Sequence, residues 1–229
     1  ITRGFKSNLE FSKTSGNFQF EVGNNIESKT YNPNDMGYLQ SPNEFSSWVE
    51  LEYNIFKPFK KLLNFYSNVM YYHQSLYEPR SFSEELLMFN VRSTTIKNNY
   101  TFGVNGEIQT RYVSDFYLAD TADQKVILPN RCAFRLFGSP DYRKPFIVDH
   151  GINFWFADNL RQKGIGINLS PRIRFSDKLF IVLRSNLQFN FNEIGLVEND
   201  GVNVFMGKRD IVTFENDIRV LRRATTTIR

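Results

Sequence analysis

Hydrophobic and polar residues alternate one by one along most of this chain. In "KGIGINLSPRIRF", Ile165, Ile167, Leu169, Ile173 and Phe175 fall on one face, and Gly164, Gly166, Asn168, Ser170, Arg172 and Arg174 on the other. "LFIVLRSNLQFNF" repeats the pattern, setting Leu179, Ile181, Leu183, Leu187, Phe189 and Phe191 against Arg184, Asn186, Gln188 and Asn190. Successive side chains of a strand point to opposite sides, so each segment predicts a strand with one apolar and one polar face. A one-residue slip would mix the faces, which lets registers be tested on the sequence. With Ser176-Asp177-Lys178 as a turn, Phe175 meets Leu179, Ile173 meets Ile181, Ile167 meets Leu187, Ile165 meets Phe189, Asn168 meets Asn186 and Ser170 meets Arg184. A two-residue turn at Asn98-Asn99, a type I′ candidate, pairs Phe89 with Ile108, Val91 with Gly106 and Arg92 with Asn105. Ser15-Gly16 does the same for Phe11 with Phe20 and Leu9 with Val22.

Continued along the chain, the pattern predicts about twelve strands, near 4–13, 17–28, 46–56, 62–73, 86–97, 100–113, 131–138, 145–157, 163–175, 179–192, 202–207 and 211–221. Several reach ~11 residues, well above the usual five or six. Short connections (Ser15-Gly16, "KPFKK", Asn98-Asn99, "GSPDYRK", "SDK", "GKRD") alternate with longer ones at 29–45, 74–85, 114–130, "DNLRQ" and 193–201. The stretch "NNIESKTYNPNDMGYLQ", residues 24–40, is rich in Asn, Asp, Ser, Pro and Gly, and so reads as connection rather than strand interior. Asn32, Asn34 and Asp35 within it have oxygen ligands suited to calcium. One carboxylate in a short loop is a poor cation site, however, and the plain turn is the preferred reading.

Composition narrows the environment. The 229 residues include 23 Phe and 11 Tyr, a profile suited to strands. Net charge is +4 and scattered, with no basic cluster interleaved with aromatics, which argues against a nucleic-acid partner. The single cysteine, Cys132, excludes an internal disulfide and a Cys-based zinc site, and reads as an ordinary strand residue. No run approaches the ~18 apolar residues of a membrane helix. The opening "ITRGFKSNLEF" has neither initiator Met nor signal peptide, so a processed or partial segment is expected.

A soluble sandwich would also have strands with one apolar face, but with shorter strands and Greek-key connections. Three features together favour a membrane barrel. The strands suffice to cross hydrocarbon at a tilt, which takes ~9–11 residues. The polar faces carry Glu21, Glu50, Glu52, Arg92, Glu107, Arg111, Arg135, Arg172, Arg174 and Arg184, as a wet lumen permits. Long loops on one side and tight turns on the other are the outer-membrane pattern. Trp48, Tyr53, Tyr71, Tyr72, Tyr100, Tyr112 and Trp155 near strand ends would suit aromatic girdles. The predicted fold is therefore all-β: an antiparallel up-and-down transmembrane β-barrel. Residues 1–229 would form a single domain, incomplete at both ends.

"NPNDMGYLQ", the long alternating strands and "FMGKRDIVTFENDI" resemble a Bacteroidota family of unknown function. Its members join an N-terminal domain like the family-nine carbohydrate-binding modules to a C-terminal outer-membrane-type barrel. The matching positions are Asn34, Asp35, Gly37 and Tyr38, then Gly207, Arg209 and Asp210. The resemblance implies architecture and a bacterial outer-membrane location, with outer-membrane lipid and other membrane or periplasmic subunits as partners. It implies no chemistry.

Other candidates for chemistry are sparse. His73 ends a strand after Tyr71-Tyr72, and His150 lies on the apolar-side row with Val148 and Ile152. Neither has a carboxylate or cysteine at ligand spacing. Asp120 and Asp123 form a carboxylate pair of the kind used in glycoside hydrolysis, but in a long loop solvation is the simpler account. Arg172, Arg174 and Arg184 share a face, either as a positive patch in a channel or balanced by Glu on other strands. No nucleophile elbow, phosphate loop or zincin motif occurs. No catalytic, cofactor or metal residue is therefore assigned, and no cofactor is expected. The favoured function is a structural, transport or partner-binding barrel, with polysaccharide, protein or lipid handling as the expected context. A barrel-embedded hydrolase and a soluble β-rich binding module are the alternatives.

Overall fold

The computed structural model describes residues 3–32, 42–116, 125–157, 161–199 and 202–222, with backbone only for 194–199, 202–209 and 220–222. The described residues form thirteen strands and no helix. The strands are β1 (Lys6–Lys13), β2 (Phe18–Glu27), β3 (Glu44–Ile55), β4 (Leu62–Leu76), β5 (Ser81–Thr95), β6 (Thr101–Gln109), β7 (Val113–Asp115), β8 (Val126–Leu128), β9 (Arg131–Ser139), β10 (Phe146–Ala157), β11 (Gln162–Arg174), β12 (Leu179–Asn199) and β13 (Val202–Arg222). Eleven of them make one antiparallel up-and-down sheet in chain order; β7 and β8 pair only with each other, within the β6–β9 connection. No ladder joins β1 to β13 among the described residues, so the sheet is open.

The registers sort the two faces across the whole sheet. One row runs Phe18–Tyr53–Ser67–Val91–Val104–Leu136–Ile152–Ile167–Leu187–Phe214 from β2 to β13. Two residues along the strands, Phe20, Leu51, Val69, Phe89, Gly106, Phe134, Phe154, Ile165, Phe189 and Val212 form the next. Between these rows, on the opposite face, lie Gln19, Glu52, Asn68, Asn90, Asn105, Arg135, Asn153, Gly166, Gln188 and Thr213. Apolar and polar residues are thus segregated by period-two geometry alone.

Little of the apolar material is buried. Among the described residues only Val113, Ile147, Trp155 and Ala157 are buried hydrophobics, against thirty large hydrophobic side chains that are exposed. Most of the exposed set lies on the apolar face, including Leu51 at 48 %, Leu136 at 52 % and Phe214 at 63 %. Ile211 is on the polar face, and Phe5, Phe56, Ile96, Tyr112, Ile127 and Tyr142 lie outside the strands of the large sheet.

Several expectations need correction. The β11–β12 register is as predicted, with Ile173↔Ile181, Ile167↔Leu187, Ile165↔Phe189 and Asn168↔Asn186. The two other hairpins are shifted by two: Phe11 pairs Val22 rather than Phe20, and Val91 pairs Val104 rather than Gly106. A shift of two leaves every side chain on its face, so alternation cannot detect it. The turns are also wider than two residues. Only Asn99 in the second has positive φ (44°), where a type I′ turn needs two such residues. The rings of Phe11 and Phe20 still meet diagonally at 5.9 Å.

The expected "GKRD" turn is strand. The predicted strands 202–207 and 211–221 are one element, β13, and the expected loops 74–85 and 193–201 are largely strand. Register shifts fall between Asn190 and Glu193 and between Ile194 and Gly195 of β12. They set Phe191-Asn192 against Asp210 and leave Gly207 without a counterpart. Asn192 has φ 54°, and its N–H donates to Asp210 Oδ1 at 3.0 Å. Gly and Asp serve a bulge as readily as a turn. Asn24 to Glu27, which open the stretch read as connection, fall within the predicted strand 17–28 and are strand residues of β2 paired to β1. The tryptophans of the proposed girdles point to the polar face, where Trp48 Nε1 donates to Glu21 and Trp155 Nε1 to Asn190.

Trp155 packs across Gly164: a Cβ there would lie 2.0 Å from Trp155 Nε1 and 2.6 Å from Asn190 Oδ1. Gly164→Ala should therefore displace the indole and destabilise the sheet by about 1–3 kcal/mol. A lowered urea midpoint with a red-shifted tryptophan emission is the expected result.

Candidate functional site

The polar face is the candidate site, because its cavities are lined largely by residues of that face. The β2–β6 part is acidic; Glu27 pairs with Lys6 at 2.7 Å, while neutral donors reach Glu21, Glu50 and Glu52. Trp48 Nε1 donates to Glu21 at 2.7 Å, Asn68 Nδ2 to Glu50 at 2.7 Å and Asn54 Nδ2 to Glu52 at 2.9 Å. Arg92, the guanidinium on this part of the face, stacks over the Tyr66 ring at 4.8 Å.

The β9–β12 part carries arginines and an amide ladder. Asn153 Nδ2 donates to Asn168 Oδ1 at 2.8 Å, and Asn168 Nδ2 to Asn186 Oδ1 at 2.6 Å. Three cavities open here, of about 790, 500 and 610 Å³, and Arg135 lines all three. The 500 Å³ cavity is also lined by Arg172 and Arg184. Arg172 lies over the rings of Phe180 (4.0 Å) and Tyr142 (5.1 Å), and its buried Nε has no hydrogen-bond partner among the described residues.

At the rim, the β9–β10 turn folds Tyr142 over the same cavity. Tyr142 OH and Ser139 Oγ each donate to Asp149 at 2.6 Å. Burial, reinforced by the Asp149 carboxylate, pushes the Tyr142 phenol above its usual range. Asp141 is clamped by Arg143 through Nε (2.9 Å), Nη2 (2.6 Å) and the backbone N–H (3.0 Å). Those hydrogen bonds hold its carboxyl well below the usual range.

The Arg row predicted from sequence is partly assembled. Arg172 and Arg184 share the cavity, whereas Arg174 turns to Asp177 in the adjacent turn. Arg184 is opposite Asp217 in register, but Asp217 accepts from Arg219 Nε at 2.6 Å. The carboxylates of β2–β6 form no ion pair with these arginines among the described residues. Sequence reasoning placed Arg135 on a polar face but did not group it with the row, because strand neighbours were needed for that.

The remaining candidates stay apart. His150 Nδ1 sits 3.1 Å from the Val148 carbonyl, which requires it to donate, leaving Nε2 to accept from Tyr100 OH at 2.8 Å. His73 packs on Phe82 at 5.8 Å between centroids. Cys132 lies on the apolar face between Ile108 and Phe156. Asn34, Asp35, Gly37, Tyr38, Asp120 and Asp123 lie outside the described residues, as do the side chains of Lys208 and Arg209. Among the described residues no group of three or more His, Cys, Asp or Glu could hold a metal ion.

Residues 1–223 match the family described as "Domain of unknown function (DUF5916)". The chain belongs to that family. No curated protein matches it. A solved structure of the NanC porin, in a rhombohedral crystal form, is similar at 10 % identity over 97 % of this chain and 95 % of that one, with a TM-score of 0.39.

The Asp141 clamp has a pH signature. Because its folded-state pKa is depressed, its contribution to stability is present above the unfolded value of ~4 and is lost as pH falls through the lower folded value. The stability difference between the wild type and Asp141→Asn should be constant from pH 7 to 5 and shrink below about pH 4. Denaturation midpoints across that range check this; the difference should be small throughout, because the pair sits at the surface.

Proposed function

We propose that this member of the family forms the wall of a bacterial outer-membrane β-barrel, its apolar face against lipid and its polar face lining a wet lumen with a structural or transport role. The observation that carries the reading is the inverted surface: among the described residues thirty large hydrophobics are exposed, most of them on the apolar face of the sheet, and four hydrophobics are buried. In water, each such side chain left uncovered forgoes about 1.5–3 kcal/mol. A soluble sandwich would lay a second layer on this face; among the described residues none is present.

The dimensions agree with lipid. On β11 the apolar row from Ile165 to Phe175 is broken only by Pro171. It extends ~33 Å at ~3.3 Å per residue. Tilted by ~45° it stands ~23 Å tall, near the ~25 Å apolar band of outer-membrane barrels. Strands that outrun the band, such as β12 beyond Phe191, would project from the membrane as hairpins.

Two further points follow from this reading. The edges of β1 and β13 present unpaired backbone groups, each costing several kcal/mol in hydrocarbon. Strands from elsewhere in the full protein or from a partner subunit would close the barrel. The connections 28–43 and 110–130 lie, with the short ones 77–80, 158–161 and 200–201, at one end of the sheet, opposite 14–17, 56–61, 96–100, 140–145 and 175–178. Long connections of outer-membrane barrels face outward. A carbohydrate-binding-like module ahead of the barrel would sit naturally with polysaccharide handling; nucleic acid is not a partner in this reading.

The test is cysteine labelling after Cys132→Ala. A thiol at Ile167 should react with a lipid-phase probe and one at Asn168 with a water-phase probe. Ile167→Arg should cost about 2–4 kcal/mol of folding stability in a bilayer. Equal labelling of both positions, or a soluble, cooperatively folding monomer without detergent, would refute the membrane reading.

A further inference from the structure

We infer that the 500 Å³ cavity between β9 and β12 binds an oxyanion, a carboxylate or phosphate group carried on a small solute, held by Arg135, Arg172 and Arg184. The inference deepens the lumen reading above, since it names what the polar face would take. Three arginines line one cavity whose volume is in the range of small-molecule sites, about 300–1,000 Å³.

The charges around the cavity do not cancel internally. Among the described residues Asp149 is the only carboxylate lining it, and both its oxygens accept from Ser139 and Tyr142 rather than from an arginine. The nearest acids of β13 line the adjoining 610 Å³ cavity. Asp217 is taken by Arg219, and Glu215 pairs in register with Asn186. Arg135 and Arg184 make no hydrogen bond or ion pair among the described residues, and the buried Nε of Arg172 is unpartnered.

Arg172 is also held in place before any ligand arrives. The Phe180 and Tyr142 rings flank its guanidinium, and Asp149 fixes the Tyr142 hydroxyl. A planar guanidinium so fixed presents two parallel N–H groups to a carboxylate or phosphate, which a flexible lysine could not. Asn168 and Ser170 on the same wall supply neutral donors for the rest of a solute.

Calorimetric titration of the full chain, folded in detergent at low salt, tests the site with citrate and inorganic pyrophosphate as separate probes. Saturable binding of either one is expected: citrate alone would point to a carboxylate solute, pyrophosphate alone to a phosphorylated one. Arg172→Gln and Arg184→Gln should each weaken it about tenfold or more, while Glu50→Gln, on the acidic part of the face, should leave it unchanged. Arg184 is exposed and has no hydrogen bond, ion pair or ring contact among the described residues, so it carries the test if Arg172→Gln does not fold. A folded wild type that binds neither probe, or variants that bind like wild type, would overturn the site. If the labelling of Ile167 and Asn168 still follows their two faces, the barrel reading survives that failure. A soluble chain that binds citrate would keep the site and remove the membrane.

Discussion

One continuous antiparallel ladder determines everything else in this structure. Each strand hydrogen-bonds its chain neighbours through β1 to β6 and β9 to β13, so a single register propagates across eleven strands. Because the side-chain period is two, that register assigns each residue to one face. The apolar rows, the acidic wall and the arginine cavity are consequences of it. A one-residue slip at any hairpin would carry charges such as Glu50 or Arg135 into the apolar rows on every strand beyond it.

How much of this was legible in the sequence follows from the same geometry. Face assignments were readable throughout, because they depend only on parity: Ile167 and Asn168 could not share a side. Registers were readable only where the turn length was obvious, as at Ser176-Asp177-Lys178. At Ser15-Gly16 and Asn98-Asn99 a two-residue error kept the parity and so left no trace. Neither Asp210 nor Gly207 announces a bulge, since the same residues make a turn. Only the long pairing of β12 with β13 distinguishes the two. Strand ends at 74–85 were missed because Gln74, Ser75 and Ser81 look polar enough for a loop, although they extend the β4–β5 hairpin.

The polar face shows what sequence could and could not say about a site. Charges were placed on it correctly apart from Arg111, which lies past the end of β6 over the Phe82 ring, but which of them meet was a question of strand order. Arg135 is thirty-seven residues before Arg172 in sequence, yet β10 alone separates their strands. The tryptophans illustrate the opposite error. Trp48 and Trp155 were assigned to an interfacial belt by type and position near strand ends, whereas the hydrogen-bonding needs of their indoles draw them to Glu21 and Asn190.

The separation of charge on that face has a physical reason of its own. A guanidinium beside a carboxylate would form an ion pair and lose its capacity for another partner. Here amides and aromatics stand where ion pairs might have formed: Asn68 and Asn54 satisfy Glu50 and Glu52, while Phe180 and Tyr142 cover Arg172. The Asn153–Asn168–Asn186 ladder links three strands without using any charge, because an amide both donates and accepts. The cross-strand amide ladder of β10 to β12 is thus neutral, and among the described residues the arginines of the 500 Å³ cavity form no ion pair.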